Sequence, residues 1–152
     1  MLFRSTHFHK LYYEKIKDTQ FYEMYQDLIQ KVIAPLFDDE VIYQKIPTFR
    51  VHMKGNLAVG AFHKDSEYSH DIHEINIFLP LTDAYENNTI WVESEIDKAD
   101  YMPMNAKYGE FVVWDGANLM HGNKINNTDI SRVSIDFRVL PKKSYEIGRA
   151  HV

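Results

Sequence analysis

His63 and Asp65 stand two positions apart in the run His63-Lys64-Asp65, and His121 lies far downstream beside Gly122. Along an extended chain, side chains two apart point to the same face, so this imidazole and carboxylate share one end of a strand. Two imidazoles and a carboxylate can grip a divalent metal from one side and leave adjacent coordination positions open. Alone, an H-x-D pair also fits a solvated loop with a hydrogen-bonded histidine.

Residues further along the chain strengthen the metal reading. Arg132 lies eleven residues beyond His121, and Ser134 shares its strand face. A guanidinium binds a carboxylate through two parallel hydrogen bonds, and a hydroxyl can add a third. A small acid anchored there beside a metal has the character of 2-oxoglutarate. The ordered set H-x-D, His, Arg-x-Ser is therefore the pattern of a non-haem iron(II) oxygenase, whose open positions take a chelating co-substrate and dioxygen.

Other residues compete for roles. His70 and His73 lie close enough to His63 to be rival ligands, though loop or hydrogen-bonding roles suit them better. Arg50 and His52 share a strand face and are candidates to touch substrate; the structural alternative for Arg50 is an ion pair with an acid such as Glu74. Glu74 and Asn76 project from the polar side of the next strand, Glu74 toward substrate and Asn76 toward backbone or co-substrate. Arg138 follows Arg132 on the same face and either binds an anionic substrate or pairs with Asp136 or another acid. Trp91 and Trp114 suit a core or wall. His7, His9 and His151 have no evident partner and suit solvent.

The elements that would position these groups are mostly strands. Apolar residues recur at helical spacing from Thr19 to Pro35, through Phe21, Met24, Tyr25, Leu28, Ile29, Val32 and Ile33, with Thr19 as N-cap and Pro35 as stop. A shorter helix spans about Leu11 to Ile16. After Asp39 the pattern turns strand-like: Val41–Gln44, Thr48–Lys54, Ala58–Asp65, His73–Leu81, Thr89–Glu93, Phe111–Trp114, Asn118–His121 and Ile130–Leu140, separated by turn signals such as Asp115-Gly116 and Asn126-Asn127. In the last strand Arg132, Ser134, Asp136 and Arg138 alternate with Val133, Ile135, Phe137 and Val139, so one face is polar and the other apolar. Short strands behind one or two helices predict a double-sheet jelly roll. The expectation is one domain over 1–152, helical over about 10–36 and a β-barrel core over about 41–141.

Composition narrows the partners. The chain has 152 residues, a net charge of −5 and no cysteine, which excludes disulfides, thiolate metal sites and a cysteine nucleophile. No basic run suits nucleic acid. The first ten residues lack a signal peptide's apolar core, and no stretch approaches the roughly 20 apolar residues of a membrane span. A cytoplasmic protein acting on a small molecule is expected.

The sequence resembles the iron(II)/2-oxoglutarate oxygenases, in particular the phytanoyl-CoA dioxygenase-like branch and its small tailoring enzymes of carbohydrate and aminoglycoside biosynthesis, the streptomycin-cluster type among them. The resemblance runs from about Tyr43 to Pro141. It rests on QKIPTFR from Gln44, the HKD, EINIFLPLTDA from Glu74, NTIWVES from Asn88, HGN at His121 and SRVSIDFRVLP ending at Pro141. It implies a double-stranded β-helix (jelly-roll, cupin-like) with the helices packed on its major sheet. It implies Fe(II) on His63, Asp65 and His121 as the catalytic centre, 2-oxoglutarate and O2 as co-substrates, and Arg132 with Ser134 receiving the distal carboxylate. Asp65 argues against the halogenase subtype, in which a small residue admits halide. The chain is short for the branch, so its pocket is expected to be open or completed by a partner subunit in a homodimer. The expected activity is hydroxylation of a polar small molecule such as a sugar derivative, with release of succinate and CO2. Two other readings stay open: a cupin-like metal enzyme that does not use 2-oxoglutarate, and a sugar-binding jelly roll without catalysis.

Overall fold

The computed structural model describes residues 7–58 and 60–145; of the sequence expectations, His151 and position 59 of the Ala58–Asp65 strand lie outside them. The chain divides into two compact units, Met1–Tyr43 with Pro141–Val152, and Gln44–Leu140.

The first unit is built on helical turns. Helix α1 spans His7–Lys15, a 3-10 turn Ile16–Asp18 follows, and α2 spans Gln20–Leu28. The single helix predicted from Thr19 to Pro35 does not persist. It widens to a π-turn over Ile29–Ile33 and tightens to a 3-10 turn over Ala34–Phe37. Pro35 explains the change, since it has no N–H to donate and its ring crowds the carbonyl four residues back. Thr19 occupies the N-cap position, but its hydroxyl donates back to the Ile16 carbonyl at 2.6 Å instead of capping the helix. Tyr25, Ile29 and Ile33 are buried, whereas Met24 and Val32 are exposed, so the apolar stripe is narrower than the sequence implied. Strand β1, Val41–Tyr43, closes this unit's first segment. His7 is exposed and His9 half-buried.

The second unit is β-structure. Strand β2 is Thr48–His52, β3 Ile75–Pro80, β6 Val112–Trp114 and β8 Arg132–Pro141. All pair antiparallel, with β8 between β2 and β3, and β6 on the far side of β3. A smaller antiparallel sheet has the order β5-β4-β7, from Met102–Pro103, Trp91–Val92 and His121–Gly122. The mainly β expectation holds.

Register decides which groups meet. Ile75, Ile77 and Leu79 of β3 stand opposite Val139, Phe137 and Ile135 of β8, and Ile77, Ile135, Phe137 and Val139 are buried on that face. The other face sets Asn76 opposite Arg138 and Trp114, and Pro80 opposite Ser134. Phe78, on this second face, is the centre of a cluster with Ala84 and Met104, flanked by Ile90, Val92, Val112 and Trp114. Burying a side chain such as Phe78 contributes about 2–3 kcal/mol. The polar face of β8 thus runs along an apolar floor, with Arg138 and Arg132 toward opposite ends.

Two expected strands are not met as drawn. Among the described residues from Ala58 to Asp65 only His63 bridges, to His121, and Asp65 opens a 3-10 turn through Tyr68. Of Asn118–His121 only His121 is in a strand, with Asn118 in the turn before it. Strand β5 was not expected, because Met102-Pro103 is too short to show an alternation.

Candidate metal centre

His63 and His121 come together because their backbones do. Each donates its N–H to the other's carbonyl, at 2.9 and 3.0 Å, and the ring centroids lie 4.5 Å apart. So close an approach requires Gly122: a Cβ there would meet the Phe62 ring at 2.7 Å. Phe62 is held in turn by an edge-on contact with Tyr101, centroids 4.7 Å apart. The glycine of the HGN run therefore lets the two histidine-bearing segments close on each other.

Local bonds also set the ring orientation. His63 Nδ1 lies 2.9 Å from the Ala61 carbonyl and His121 Nδ1 2.8 Å from the Leu119 carbonyl. A carbonyl only accepts, so each Nδ1 carries the hydrogen, and in the neutral ring each Nε2 presents a lone pair. Both Nε2 atoms face Asp65 Oδ1, at 3.4 Å for His63 and 3.3 Å for His121. One ligand atom from each of the three residues lies within 4.8 Å of the others, and among the described residues no other such group of three forms. Two imidazole nitrogens and one carboxylate oxygen suit a divalent iron or nickel ion, so the donor set fits a metal.

Asp65 is buried, and its second oxygen is occupied. Oδ2 accepts from Asn76 Nδ2 at 2.8 Å and from Arg138 Nη2 and Nε at 2.8 and 3.1 Å. Burial alone would raise this carboxyl. The contacts with His121, His63 and Asn76 and the charge of Arg138 win, holding it well below the usual carboxylate range. His63 moves the other way: in its protonated form Nε2–H can donate to Asp65, which raises it against the opposing effect of burial.

At the other end of the same face, Arg132 is 2% exposed. Its Nε donates to the Asn88 carbonyl at 2.8 Å and its Nη1 to Ser134 Oγ at 2.6 Å, while its guanidinium lies over the Phe78 ring. Among the described residues no acid is within ion-pair distance of it, and burial pushes it down to about 10. A buried cation without an anion is costly. The site therefore fits a bound carboxylate, such as the distal end of 2-oxoglutarate.

Several expectations change. His52 is not placed to touch a substrate. It is completely buried, with Nε2 2.9 Å from the Asn56 carbonyl and Nδ1 3.3 Å from the Asn88 carbonyl, and it braces the loop that holds Arg132. Arg138 is committed to Asp65, with Glu74 3.6 Å from its Nε. Asn76 serves Asp65 through its amide nitrogen, and its buried Oδ1 has no hydrogen-bond partner among the described residues. Arg50 pairs with Asp136 at 2.8 Å, not with Glu74. Glu74 accepts from His70 at 2.9 Å, and His73 bonds Asp71, so neither rival histidine joins the metal group. Trp91 donates to the Glu86 carbonyl beneath Lys124, and Trp114 meets the His121 ring edge-on, so both are walls.

Sequence reasoning missed the buried polar residues that fasten the site. Glu93 is 2% exposed and accepts from the Met120 and Ala99 N–H groups at 2.7 and 3.1 Å, anchoring the residue before His121. These bonds, the Met120 one foremost, hold its carboxyl below the ordinary value. Asn88 takes the Tyr85 N–H and reaches Thr128, while Asn126 bonds the His52 and Ile130 carbonyls. Asn126 read only as a turn signal; the burial of both asparagines depends on contacts distant in sequence.

No protein-family model matches the chain. It is 43% identical over 143 residues to the streptomycin biosynthesis protein StrG of Streptomyces griseus, covering 94% of this chain and 67% of that one. Among solved structures it is similar to the non-haem monooxygenase ThoJ in its nickel complex, at TM-score 0.59 and 19% identity, covering 74% of this chain and 49% of that one. HygX of Streptomyces hygroscopicus, solved with nickel, 2-oxoglutarate and hygromycin B, gives 0.55 at 13% identity, covering 78% and 64%. An oxidoreductase of the 2OG-Fe(II) oxygenase family from Burkholderia pseudomallei gives 0.58 at 14%, covering 78% and 55%. At these identities the likeness is one of fold, and this chain spans about half to two thirds of their length.

Proposed function

Since the chain belongs to the family of the streptomycin biosynthesis protein StrG, we propose that it is an Fe(II)- and 2-oxoglutarate-dependent oxygenase that oxidises a polar small molecule of the sugar or aminoglycoside class. The observation that carries this reading is the convergence of His63 Nε2, His121 Nε2 and Asp65 Oδ1, with both ring tautomers set by backbone carbonyls. The buried Arg132 beside Ser134, with no acid in direct contact among the described residues, supports 2-oxoglutarate over a cupin-like chemistry that has no need of such an anchor. When bound, iron would activate dioxygen, the oxidant, with 2-oxoglutarate giving two electrons and leaving as succinate and CO2 while the substrate gives the other two.

The protein's own part is to bind, orient and shield. His63, Asp65 and His121 hold the metal from one side. Arg132 would neutralise the distal carboxylate of 2-oxoglutarate, and the Ser134 hydroxyl could donate a further hydrogen bond to it. Trp114 and Phe62 wall the histidines from water. Glu74 and His70, both partly exposed, offer a carboxylate and an imidazole to a hydroxyl- or amine-bearing substrate. The aminoglycoside bound to HygX and the streptomycin-pathway relative both support that substrate class. Among the described residues no helix is long and apolar enough to cross a membrane.

The test is an anaerobic titration of metal-free protein with Fe(II) and 2-oxoglutarate, followed by the weak visible absorption of the chelate. Wild type should develop the band and Asp65→Ala should not. Metal binding without a band would favour a cupin-like enzyme, and no metal binding would sink the enzyme reading.

A further inference from the structure

Asp65 shows its two oxygens to different surroundings. Oδ1 faces only the two imidazole Nε2 atoms. Oδ2 takes three N–H groups, one from Asn76 and two from Arg138, all at 2.8–3.1 Å. A carboxylate oxygen offers about two lone-pair sites, so Oδ2 has no capacity left for a metal. We propose that Arg138, with Asn76, fixes Asp65 as a ligand through one oxygen only and so keeps a third metal position free for dioxygen. The proposal rests on the metal reading above and concerns the denticity of that site.

The surroundings favour a fixed arrangement. Asn76 and Arg138 are register partners on β3 and β8, so their side chains rise from one face at neighbouring points. The Arg138 side chain is 19% exposed and that of Asp65 6%, so water competes little for these bonds. Glu74 Oε2, 3.6 Å from Arg138 Nε, adds a second carboxylate that favours the guanidinium there. The Asn76 amide cannot turn freely, because Gly116 packs against it so closely that a Cβ there would lie 2.6 Å from Nδ2. Because the Asp65 carboxylate only accepts, Nδ2 must be the atom facing it.

The consequence is a count. Six octahedral positions less three single-atom protein ligands leave three. Were Oδ2 released, the carboxylate could chelate, and a two-atom co-substrate would then fill what remained. Arg138 is therefore a positioning residue, acting on the metal through Asp65.

The experiment loads the full chain with Mn(II) and counts exchangeable metal-bound waters from the broadening of its electron paramagnetic resonance lines in 17O-water. About three are expected for wild type, about two for Arg138→Met, and recovery toward three for Arg138→Lys. Should Arg138→Met fail to fold, Asn76→Ala in an Arg138→Gln background carries the same count. An unchanged count in a folded variant that binds manganese overturns the proposal, even if metal affinity drops, and leaves the metal site standing. Failure of wild type to bind manganese overturns both.

Discussion

At the scale of single residues, the site separates groups that touch the chemistry from groups that hold them. His52 belongs to the second kind and yields a pH prediction. Burial, reinforced by the nearby charge of Arg132, lowers its folded value below the ordinary 6.5. The unfolded chain then binds more protons than the folded one between that lowered value and 6.5, so stability falls as pH drops through the window and is fully present above it. Wild type should lose denaturant midpoint on acidification below about pH 6.5. His52→Gln, which keeps an N–H donor for a loop carbonyl, should flatten that slope. Equal slopes in the two proteins would assign the acid sensitivity to other groups.

At the scale of elements, the strands whose alternation is long were legible. The expected ranges Thr48–Lys54, His73–Leu81, Phe111–Trp114 and Ile130–Leu140 lie within two residues of the observed β2, β3, β6 and β8, because each has one apolar face that only one register can bury. The segment carrying His63 and Asp65 was not legible. It is fixed by a backbone exchange with His121 and by Asp65 N–H donating to the Gly116 carbonyl, bonds that leave no periodic trace in sequence. For the same reason the sequence pointed to His63, Asp65, His121, Arg132 and Ser134 by type and spacing, yet left Arg138 between substrate and an acid and did not foresee that Asn76 and Arg138 meet on Asp65 or that His52 is fully buried against loop carbonyls. The loop from Asp115 to His121 can be tested at Gly116. Gly116→Ala should push the Asn76 amide off Asp65 and weaken metal binding about 10-fold, the scale of losing a partner of a metal ligand. Asn76→Ala makes room for the new methyl, so adding Gly116→Ala to it should cost little more. Additive losses of metal affinity, read by competition with a chromophoric chelator, would mean the glycine matters for another reason.

For the molecule as a whole, the site is a place where folding leaves charges to be completed by ligands. Asp65 has one oxygen aimed at two lone pairs, and Arg132 is a buried cation with no acid in contact among the described residues. Binding only the folded state converts affinity into stability: a metal at 100 times its dissociation constant adds about 2.7 kcal/mol, or roughly 5–10 °C in Tm for a chain of this size. Nickel(II), which supports no turnover, should therefore raise the melting temperature of wild type, and 2-oxoglutarate should add a second increment. The order matters, because a chelating acid gains most of its affinity from the metal. 2-Oxoglutarate alone should shift Tm little. Arg132→Met should keep the nickel increment and shrink the 2-oxoglutarate one, while Asp65→Ala should lose both. If 2-oxoglutarate instead stabilised metal-free protein as strongly as the nickel form, Arg132 would be an anion site independent of the metal, and the shared chelate at the centre of the proposed activity would fall.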